Sequence, residues 1–269
     1  MKIDVLPVIE KIKKEIKEHR EKLNRKPKLI SITDDYTGAT KAYLKSQKRI
    51  AKEYDVDFEI IETENLIETI KKYNEDKNVD GIFVARPTKT IKFIEVAKIL
   101  NPAKDVEGVT PYNMGMNFYG VEEFVPCTAE SAVKILEQTE ELKSKKVAVI
   151  GRSITVGKPL AIMLENYGRD CTVNILNSKT KNMQEITKNS DIVIVAIGKA
   201  NYVNMDFLKE GTTVIDVGIN VVDGKLTGDV SKEVEKYCSV TPVPGGVGSV
   251  TSAILMRNVF RAAIKGGKI

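Results

Sequence analysis

Hydrophobic positions recur with two different periods along the N-terminal part of the chain. In the first segment, apolar side chains recur every three or four residues, as on one face of a helix, at Val5, Ile9, Ile12 and Ile16. Short β-branched and apolar runs then alternate with stretches of helical periodicity. The pattern predicts strands over 28–32, 58–62 and 81–84 and helices over 5–23, 39–54, 66–73 and 91–100. Such alternation is typical of an α/β domain with a parallel sheet.

Periodicity weakens between residues 101 and 117, where turn residues are frequent. We predict a long loop here, of a kind that often has a functional role. A helix over 129–138, with Thr128 as its N-cap, is predicted to lead into a second domain. In that domain we predict strands over 147–150, 171–176, 192–197 and 213–217, a helix over 156–167 and a helix that closes the chain.

The strand at 147–150 runs into a turn of small residues, and a helical pattern follows. Gly151 permits a sharp turn, Ser153 can donate a hydroxyl, and Gly157 lets the helix lie close to the strand. A helix N-terminus in this setting attracts anions, because its amides and its dipole favour negative charge. The spacing is G-x-S-x-x-x-G rather than G-x-G-x-x-G. A phosphate-binding loop and an ordinary strand-to-helix turn therefore both remain open.

The strand at 171–176 ends without an acidic residue. In an NAD site, an Asp or Glu at this place holds the ribose 2′-hydroxyl. Here Ser178 and Arg152 could instead hydrogen-bond a 2′-phosphate, which favours NADP over NAD, although Arg152 could also be a solvated loop charge. Gly198 and Ile219 follow the next strands, so we expect them at the same carboxyl edge of the sheet.

A loop rich in Pro and Gly covers residues 241–248. Pro244, Gly245 and Gly246 present few side-chain atoms, which would let the backbone approach a flat ligand closely. A purely structural turn is the alternative.

Composition bounds the class of protein. The chain has 269 residues, a length that suits two domains, and it carries a formal charge of +5. With no bilayer-spanning apolar stretch and no signal-peptide core, we expect a soluble cytoplasmic protein. The three cysteines lack CxxC spacing, so we predict neither disulfides nor a zinc site from them. The one histidine, His19, is expected at the surface and offers no further metal ligand. Arg/aromatic interleaving is absent, which argues against nucleic acid as a partner.

Seven segments together resemble the methylenetetrahydrofolate dehydrogenase/methenyltetrahydrofolate cyclohydrolase family. In chain order they are 79–82 (VDGI), 104–108 (KDVEG), 126–128 (PCT), 151–159 (GRSITVGKP), 214–220 (VIDVGIN), 228–230 (GDV) and 241–248 (TPVPGGVG). They follow the family's order over nearly the whole chain, which makes the match more specific than any one motif.

The resemblance implies a two-lobed α/β fold with folate in the cleft between the lobes. A folate-binding catalytic domain would comprise residues 1–125 and 249–269, the final helix returning to the first lobe. A Rossmann-type NAD(P)-binding domain would comprise 126–248. The expected protein is a homodimer that acts on one-carbon derivatives of tetrahydrofolate. It would oxidise 5,10-methylenetetrahydrofolate to 5,10-methenyltetrahydrofolate with NADP, or alternatively NAD. Cofactor contacts are expected from the loops after the strands: Gly151, Arg152, Ser153, Gly157, Ser178, Gly198 and Ile219.

The expected folate site departs from the family pattern. Bifunctional members have a helix with Ser-x-x-Tyr-x-x-x-Lys, in which the Tyr stacks on the pterin and the Lys serves hydrolysis. Here Thr40, Tyr43 and Gln47 stand at those positions and share one helix face. Lys48 is rotated by about 140° from Tyr43 and would need a bulge to enter the site.

Further positions differ as well. Ala85 stands in place of a Gln, Glu107 in place of an Asp, and Ser249 and Val250 in place of Pro-Met. We expect catalytic roles for Tyr43, Gln47 and Glu107. Substrate contacts are expected from seven residues: Thr40, Tyr43, Lys48, Ala85, Pro244, Gly245 and Gly246.

The two reactions of the family make different demands. Hydride transfer chiefly requires that two planar rings be positioned, whereas hydrolysis requires a positioned acid or base. We therefore predict a dehydrogenase with weak or absent cyclohydrolase activity. One alternative is a bifunctional enzyme in which Lys48 or another lysine supplies the amine. Others are a catalytically impaired folate- or nucleotide-binding protein, and a Rossmann dehydrogenase for a shikimate- or amino-acid-type substrate.

Overall fold

Two parallel β-sheets organise the chain in the computed structural model, which describes residues 1–266. Each sheet belongs to its own compact unit. The five-strand unit comprises residues 1–10, 117–121 and 126–251. The three-strand unit comprises residues 11–116, 122–125 and 252–266. Residues 267–269, the end of the predicted 249–269 segment, lie outside the described residues.

The three-strand unit contains β1 (Lys28–Thr33), β2 (Asp57–Glu62) and β3 (Gly81–Val84), in the order β2-β1-β3. Along this half of the chain the helices are α1 (Leu6–Arg20), α2 (Gly38–Glu53), α3 (Leu66–Glu75), α4 (Phe93–Ile99) and α5 (Pro111–Phe118). Aliphatic side chains from β1, β3, α3 and α4 form its core, including Ile30, Ile70, Ile82 and Val96.

The five-strand sheet has the order β10-β7-β6-β4-β5, and its strands are β4 (Lys146–Ile150), β5 (Thr172–Leu176), β6 (Ile192–Val195), β7 (Thr213–Asp216) and β10 (Ser239–Val240). An antiparallel hairpin joins β8 (Asn220–Val222) to β9 (Lys225–Thr227). In the C-terminal half of the chain the helices are α6 (Cys127–Thr139), α7 (Gly157–Glu165), α8 (Met183–Lys188) and α9 (Val247–Lys265), and most of α9 lies in the three-strand unit. Short 3-10 turns cover Pro102–Lys104, Met205–Phe207 and Lys232–Lys236.

The structure confirms the α/β fold class, and each predicted strand is present within two residues of its predicted ends. Burial explains why the sequence indicated the strands, since β6 is buried at all four positions and reads as a continuous Ile/Val run. The predicted helix ends differ by up to three residues. For example, α7 ends at Glu165 rather than 167, and α6 begins at Cys127 with Pro126, not Thr128, as its N-cap.

One prediction was wrong in kind, because residues 111–117 of the predicted loop belong to helix α5 (Pro111–Phe118). The buried Asp105 carboxylate accepts hydrogen bonds from the Thr110 amide and from Asn113 Nδ2, both at 2.8 Å. The turn-forming residues there therefore anchor the start of a helix. Helix α8 and the β8–β9 hairpin were also missed, because both are short.

The first ten residues belong to the five-strand unit rather than to the unit formed by the rest of the N-terminal half. Lys2 forms a parallel bridge with Val240, and the Ile3 amide donates to the Val240 carbonyl at 2.9 Å. His19 differs from its expected surface position: it is half-buried, and burial lowers its pKa. Within residues 1–266, no helix has the length and apolarity to cross a bilayer.

Candidate active site

The carboxyl edge of the five-strand sheet brings four predicted cofactor residues together. Gly151, Ser178, Gly198 and Ile219 follow β4, β5, β6 and β7, and these four strands run parallel in one sheet. The chain passes from β4 to β5 on one side and then to β6 on the other, so the strand order reverses at β4. In open α/β sheets, such a reversal point is where ligands bind.

The turn after β4 is built so tightly that two of its positions require glycine. Gly151 has a φ of +123°, and a Cβ atom there would lie 2.3 Å from the Ala196 carbonyl oxygen. A Cβ atom on Gly157 would lie 2.1 Å from the Gly151 oxygen. Within the turn, Ser153 Oγ accepts the Val156 amide at 3.1 Å. The backbone therefore folds closely between β4 and the start of α7.

The groups exposed at this edge fit a dinucleotide carrying a 2′-phosphate. Arg152, Ser153, Ser178 and Gly198 are all exposed, and Ile219 keeps 63% of its surface accessible. No carboxylate stands at the end of β5, so nothing there would repel a phosphate. The arrangement agrees with the NADP site predicted from the sequence, and the role of each residue stays a prediction.

Two buried carboxylates fix the loops on which Gly198 and Ile219 lie. Asp229 accepts the backbone amides of Ile197, Gly198 and Lys199 at 2.8–2.9 Å. Asp216, at the end of β7, accepts those of Gly218, Asp229 and Val230 at 2.9–3.0 Å. Hydrogen bonds to charged acceptors are the stronger kind, so this pair holds both loops in place.

Burial, with a smaller contribution from the nearby Asp229 charge, raises the pKa of Asp216 to about 6, although the three amides it accepts oppose the shift. The sequence analysis missed both residues as positioning groups. The available signal was a single carboxylate ending an otherwise apolar strand.

The Pro/Gly loop lies in the five-strand unit. Pro244 and Gly245 are at least partly exposed, whereas Gly246 is buried and a Cβ atom there would lie 2.3 Å from the Pro242 carbonyl. The loop is compact and offers backbone at its surface, as expected for contact with a flat ligand. A substrate role for it stays a prediction.

In the three-strand unit, Tyr43 and Gln47 form a connected pair on α2. Gln47 is buried, donates from Nε2 to the Tyr43 hydroxyl at 3.2 Å and accepts from Ser31 Oγ at 3.0 Å. The Tyr43 ring contacts Phe83 with a centroid distance of 5.8 Å, yet 47% of the residue is exposed. Tyr43 is thus held from one side, and its remaining surface can receive a ligand.

The other residues predicted to contact folate, Thr40, Lys48 and Ala85, offer fewer side-chain contacts. Helix α2 is continuous and leaves Lys48 exposed, while Thr40 is half-buried. Ala85 is buried just beyond β3, and its amide donates to the Ile32 carbonyl at 2.9 Å. An alanine there offers no side-chain hydrogen bond.

Glu107 lies in an unusual environment for a carboxylate. Its side chain keeps 14% exposure, its Oε1 atom forms an ion pair with Arg86, and its Oε2 atom is buried without a hydrogen-bond partner among residues 1–266. Burial raises the pKa of Glu107 to about 7. The Arg86 guanidinium opposes this shift and Asp105 adds to it, but the loss of solvation prevails.

Arg86 is a site residue that the sequence analysis did not single out. Its guanidinium lies over the Phe93 ring, 4.9 Å from the ring centroid. The loop that carries it is tied at its far end, because the Asp34 carboxylate accepts the Lys89 and Thr90 amides at 2.9 and 2.7 Å. A charged residue directly after a buried strand was the signal that could have indicated it.

Comparison with known proteins covers nearly the whole chain. Residues 3–107 match the family model "Tetrahydrofolate dehydrogenase/cyclohydrolase, catalytic domain", and residues 126–266 match its "NAD(P)-binding domain" counterpart. The bifunctional protein FolD of Petrotoga mobilis is 55% identical over 264 residues, covering 98% of this chain and 97% of the relative. FolD of Thermotoga maritima is 50% identical and covers 98% of both chains.

Solved structures agree with this match. The bifunctional FolD dehydrogenase/cyclohydrolase of Campylobacter jejuni superposes with a TM-score of 0.90 at 34% identity, covering 98% of each chain. The Trypanosoma brucei FolD, solved with NADP and an inhibitor, superposes with a TM-score of 0.88 at 29% identity, again over 98% of each chain.

Proposed function

The chain belongs to the tetrahydrofolate dehydrogenase/cyclohydrolase family, and on this basis we propose that it is a bifunctional enzyme. It is an NAD(P)-dependent methylenetetrahydrofolate dehydrogenase. The further step that we propose is hydrolysis of the methenyl product to 10-formyltetrahydrofolate. The observation that carries this proposal is the match to relatives named bifunctional FolD, at 44–55% identity and nearly full length.

This proposal replaces the expectation of weak or absent hydrolysis. That expectation was drawn from Gln47, Ala85 and Glu107, and the relatives' names favour the bifunctional alternative instead. The family match also removes the support for a Rossmann dehydrogenase with an unrelated substrate. The homodimer and the cytoplasmic location stay predictions, of which the first is tested by sedimentation of the purified chain.

The dehydrogenase reaction needs the pterin ring of the folate and the nicotinamide ring of the cofactor to be held against each other. The exposed face of Tyr43 supports stacking on the pterin, because the ring is already fixed by Phe83 and Gln47. When bound, NADP accepts the hydride, and no acid or base is required at that carbon. Rigid positioning is therefore what these residues have to contribute.

We propose NADP rather than NAD as the preferred cofactor. Arg152 and Ser178 are exposed at the carboxyl edge that would receive the dinucleotide, and no carboxylate follows β5. The tight turn from Gly151 to Gly157 supports close approach of backbone amides to phosphate. The NADP in the Trypanosoma brucei relative agrees with this preference.

The hydrolase half needs a group that accepts and returns a proton. The amide of Gln47 cannot do so, and both of its ends are engaged. This observation favours a second candidate function, a dehydrogenase that releases methenyltetrahydrofolate unhydrolysed.

One pair of assays decides between the two. Purified protein is incubated with methylenetetrahydrofolate and NADP or NAD, and reduced nicotinamide is followed by absorbance. Decay of added methenyltetrahydrofolate is measured separately against the enzyme-free rate. We expect faster turnover with NADP and enzyme-dependent decay. Reduced cofactor with a methenyl product that persists would support the second candidate, and no turnover at all would indicate an impaired binding protein.

A further inference from the structure

We propose that Asp34 is a positioning residue for the folate substrate, because its carboxylate holds the loop after β3 against the loop after β1. The inference rests on the proposed function, with folate as the substrate, and adds a residue that acts on substrate affinity without contacting the reacting atoms. It follows from hydrogen bonds between residues that lie 55 and 56 positions apart in sequence.

Each of the two loops adjoins residues that are predicted to contact folate. Strands β1 and β3 are parallel neighbours in the three-strand sheet, so the loops that follow them leave the sheet at the same edge. The loop after β1 leads into α2, which carries Tyr43. The loop after β3 begins with Ala85 and Arg86. The relative position of the two loops therefore sets the spacing between the Tyr43 ring and the groups that follow β3.

The Asp34 carboxylate accepts three hydrogen bonds from the loop after β3. Its Oδ2 atom accepts the Lys89 amide at 2.9 Å and both the Thr90 amide and the Thr90 hydroxyl at 2.7 Å. Its Oδ1 atom is buried and has no hydrogen-bond partner among residues 1–266. The polar contacts of this carboxylate therefore serve one loop.

A second contact joins the same loops but contributes less. Lys89 Nζ lies 2.9 Å from Asp35 Oδ1, yet 61% of the Lys89 side chain is exposed. Exposed ion pairs contribute little, because solvent screens the charges and long side chains lose freedom when they pair. Hydrogen bonds to a charged acceptor are stronger. The contact with Asp34 is therefore the one that decides the position of the loop.

The Asp34 side chain stays charged at neutral pH. Burial acts to raise its pKa, but the hydrogen bonds from Thr90 and Lys89 outweigh burial and hold the pKa below its usual value. The bonds that stabilise the carboxylate are the same bonds that hold the loop.

Contacts within each loop add to its rigidity. Thr88 Oγ1 donates to the Ile91 carbonyl at 2.6 Å, and the Asp35 amide donates to Thr33 Oγ1 at 3.0 Å. A loop that is fixed before the substrate arrives loses less conformational freedom on binding. Asp34 should therefore act on the affinity for folate rather than on the rate of hydride transfer.

The test compares Asp34→Ala with the wild type, using Asp57→Asn as the control. Asp57 is exposed at the start of β2, at the opposite edge of the same sheet. Oxidation of methylenetetrahydrofolate is measured with each substrate varied in turn. We expect Asp34→Ala to raise the KM for methylenetetrahydrofolate by roughly 10-fold or more, as for lost hydrogen bonds to a charged group. Because only substrate binding is weakened, kcat and the KM for NADP should change by less than about 3-fold. Asp57→Asn should match the wild type.

Two further variants separate the contacts between the loops. Asp34→Asn keeps an oxygen acceptor but loses the charge, so its KM for methylenetetrahydrofolate should lie between those of the wild type and Asp34→Ala. Lys89→Ala keeps the backbone amide that Asp34 accepts and removes only the exposed ion pair. It should raise this KM by less than about 3-fold.

Amide hydrogen exchange measures the loop without any substrate. The peptide that spans residues 86–92 should exchange at least about 10-fold faster in Asp34→Ala than in the wild type, because the Lys89 and Thr90 amides lose their acceptor. Peptides from the five-strand unit should exchange as in the wild type. If Asp34→Ala fails to fold, Asp34→Asn is used for both the exchange and the kinetics.

The outcomes distinguish this inference from the proposed function. A wild type that does not oxidise methylenetetrahydrofolate overturns both. With an active wild type, three results overturn the inference alone: an unchanged KM for methylenetetrahydrofolate in Asp34→Ala, an equal loss in kcat or in the KM for NADP, or unchanged exchange over 86–92. A wild type that oxidises but does not hydrolyse overturns the bifunctional assignment, and the oxidation kinetics still decide the role of Asp34.

Discussion

At the residue scale, Tyr43 combines a supported ring with a half-exposed face. If that face stacks on the pterin, Tyr43→Ala should raise the KM for folate roughly 3- to 10-fold, as expected for an aromatic contact of about 0.5–1.5 kcal/mol. The KM for NADP should change little. Steady-state kinetics with each substrate varied in turn measures both.

Two controls accompany this variant. Tyr43→Phe keeps the ring and loses only the hydroxyl that accepts from Gln47. Tyr167 is fully exposed, so Tyr167→Ala removes a tyrosine with no expected ligand contact. A folded Tyr43→Ala protein with wild-type folate kinetics would rule out stacking.

Arg152 is the second residue whose role can be isolated. If its guanidinium binds a 2′-phosphate, Arg152→Ala should weaken NADP by roughly 10- to 100-fold, from about 1.5–3 kcal/mol for a charged hydrogen bond. The effect on NAD should be small, because NAD has no 2′-phosphate. Lys188→Ala removes the same charge from an exposed site at the end of α8 and serves as the control. Equal losses for both cofactors would contradict the 2′-phosphate role.

At the scale of elements, the junction between β4 and α7 depends on Gly157. A methyl group there would meet the Gly151 carbonyl at 2.1 Å, so Gly157→Ala must push the helix start away from the turn. We expect a loss of at least about 2 kcal/mol of stability, by overpacking, and weaker NADP binding. Denaturant unfolding and cofactor titration measure the two effects.

Gly168→Ala provides the comparison for this element. Gly168 has a φ of +93°, but a methyl group added there would meet nothing within 4 Å, so only backbone strain of about 1–2 kcal/mol applies. NADP binding should stay as in the wild type. If Gly157→Ala behaved like Gly168→Ala, the close contact between turn and helix would not matter for the cofactor.

At the scale of the whole molecule, buried carboxylates make stability depend on pH. The pKa of Glu107 is raised from 4.5 to about 7, and that of Asp216 from 3.8 to about 6. Because both values are raised in the folded state, the folded chain binds more protons than the unfolded chain in this window. Stability should therefore fall as pH rises from about 4 to about 7, by about 3 kcal/mol for each group.

The denaturation midpoint at pH 5 compared with pH 8 tests this expectation. The wild type should be more stable at pH 5. Glu107→Gln should reduce the difference in stability between pH 5 and pH 8, because the amide does not titrate. Any stability lost because Arg86 is left unpaired is the same at both pH values, so it cancels when the two are compared within the variant. Exposed Glu141→Gln is the control. An equal pH 5 to pH 8 difference in wild type and Glu107→Gln would contradict the raised pKa.

Much of the fold could be predicted from the sequence because its signals are local. Strands such as β6 are buried along their whole length and show as apolar runs, and the start of α7 follows a glycine turn. Local signals misled where distant groups intervene. Helix α5 was predicted as a loop because its anchor, Asp105, lies outside the helix. His19 was predicted at the surface because its neighbours in sequence are charged, but those neighbours do not determine which distant residues pack over it.

By itself, then, the sequence determined the α/β class, the carboxyl-edge position of the cofactor loops and the departures of Gln47, Ala85 and Glu107 from the family pattern. Only the tertiary structure decided that Gln47 is bonded at both ends, that Asp216 and Asp229 fix two loops, and that Glu107 lies largely out of solvent beside Arg86. The physical reason is that periodicity depends on neighbours a few residues apart, whereas desolvation and pairing depend on groups brought together across the chain.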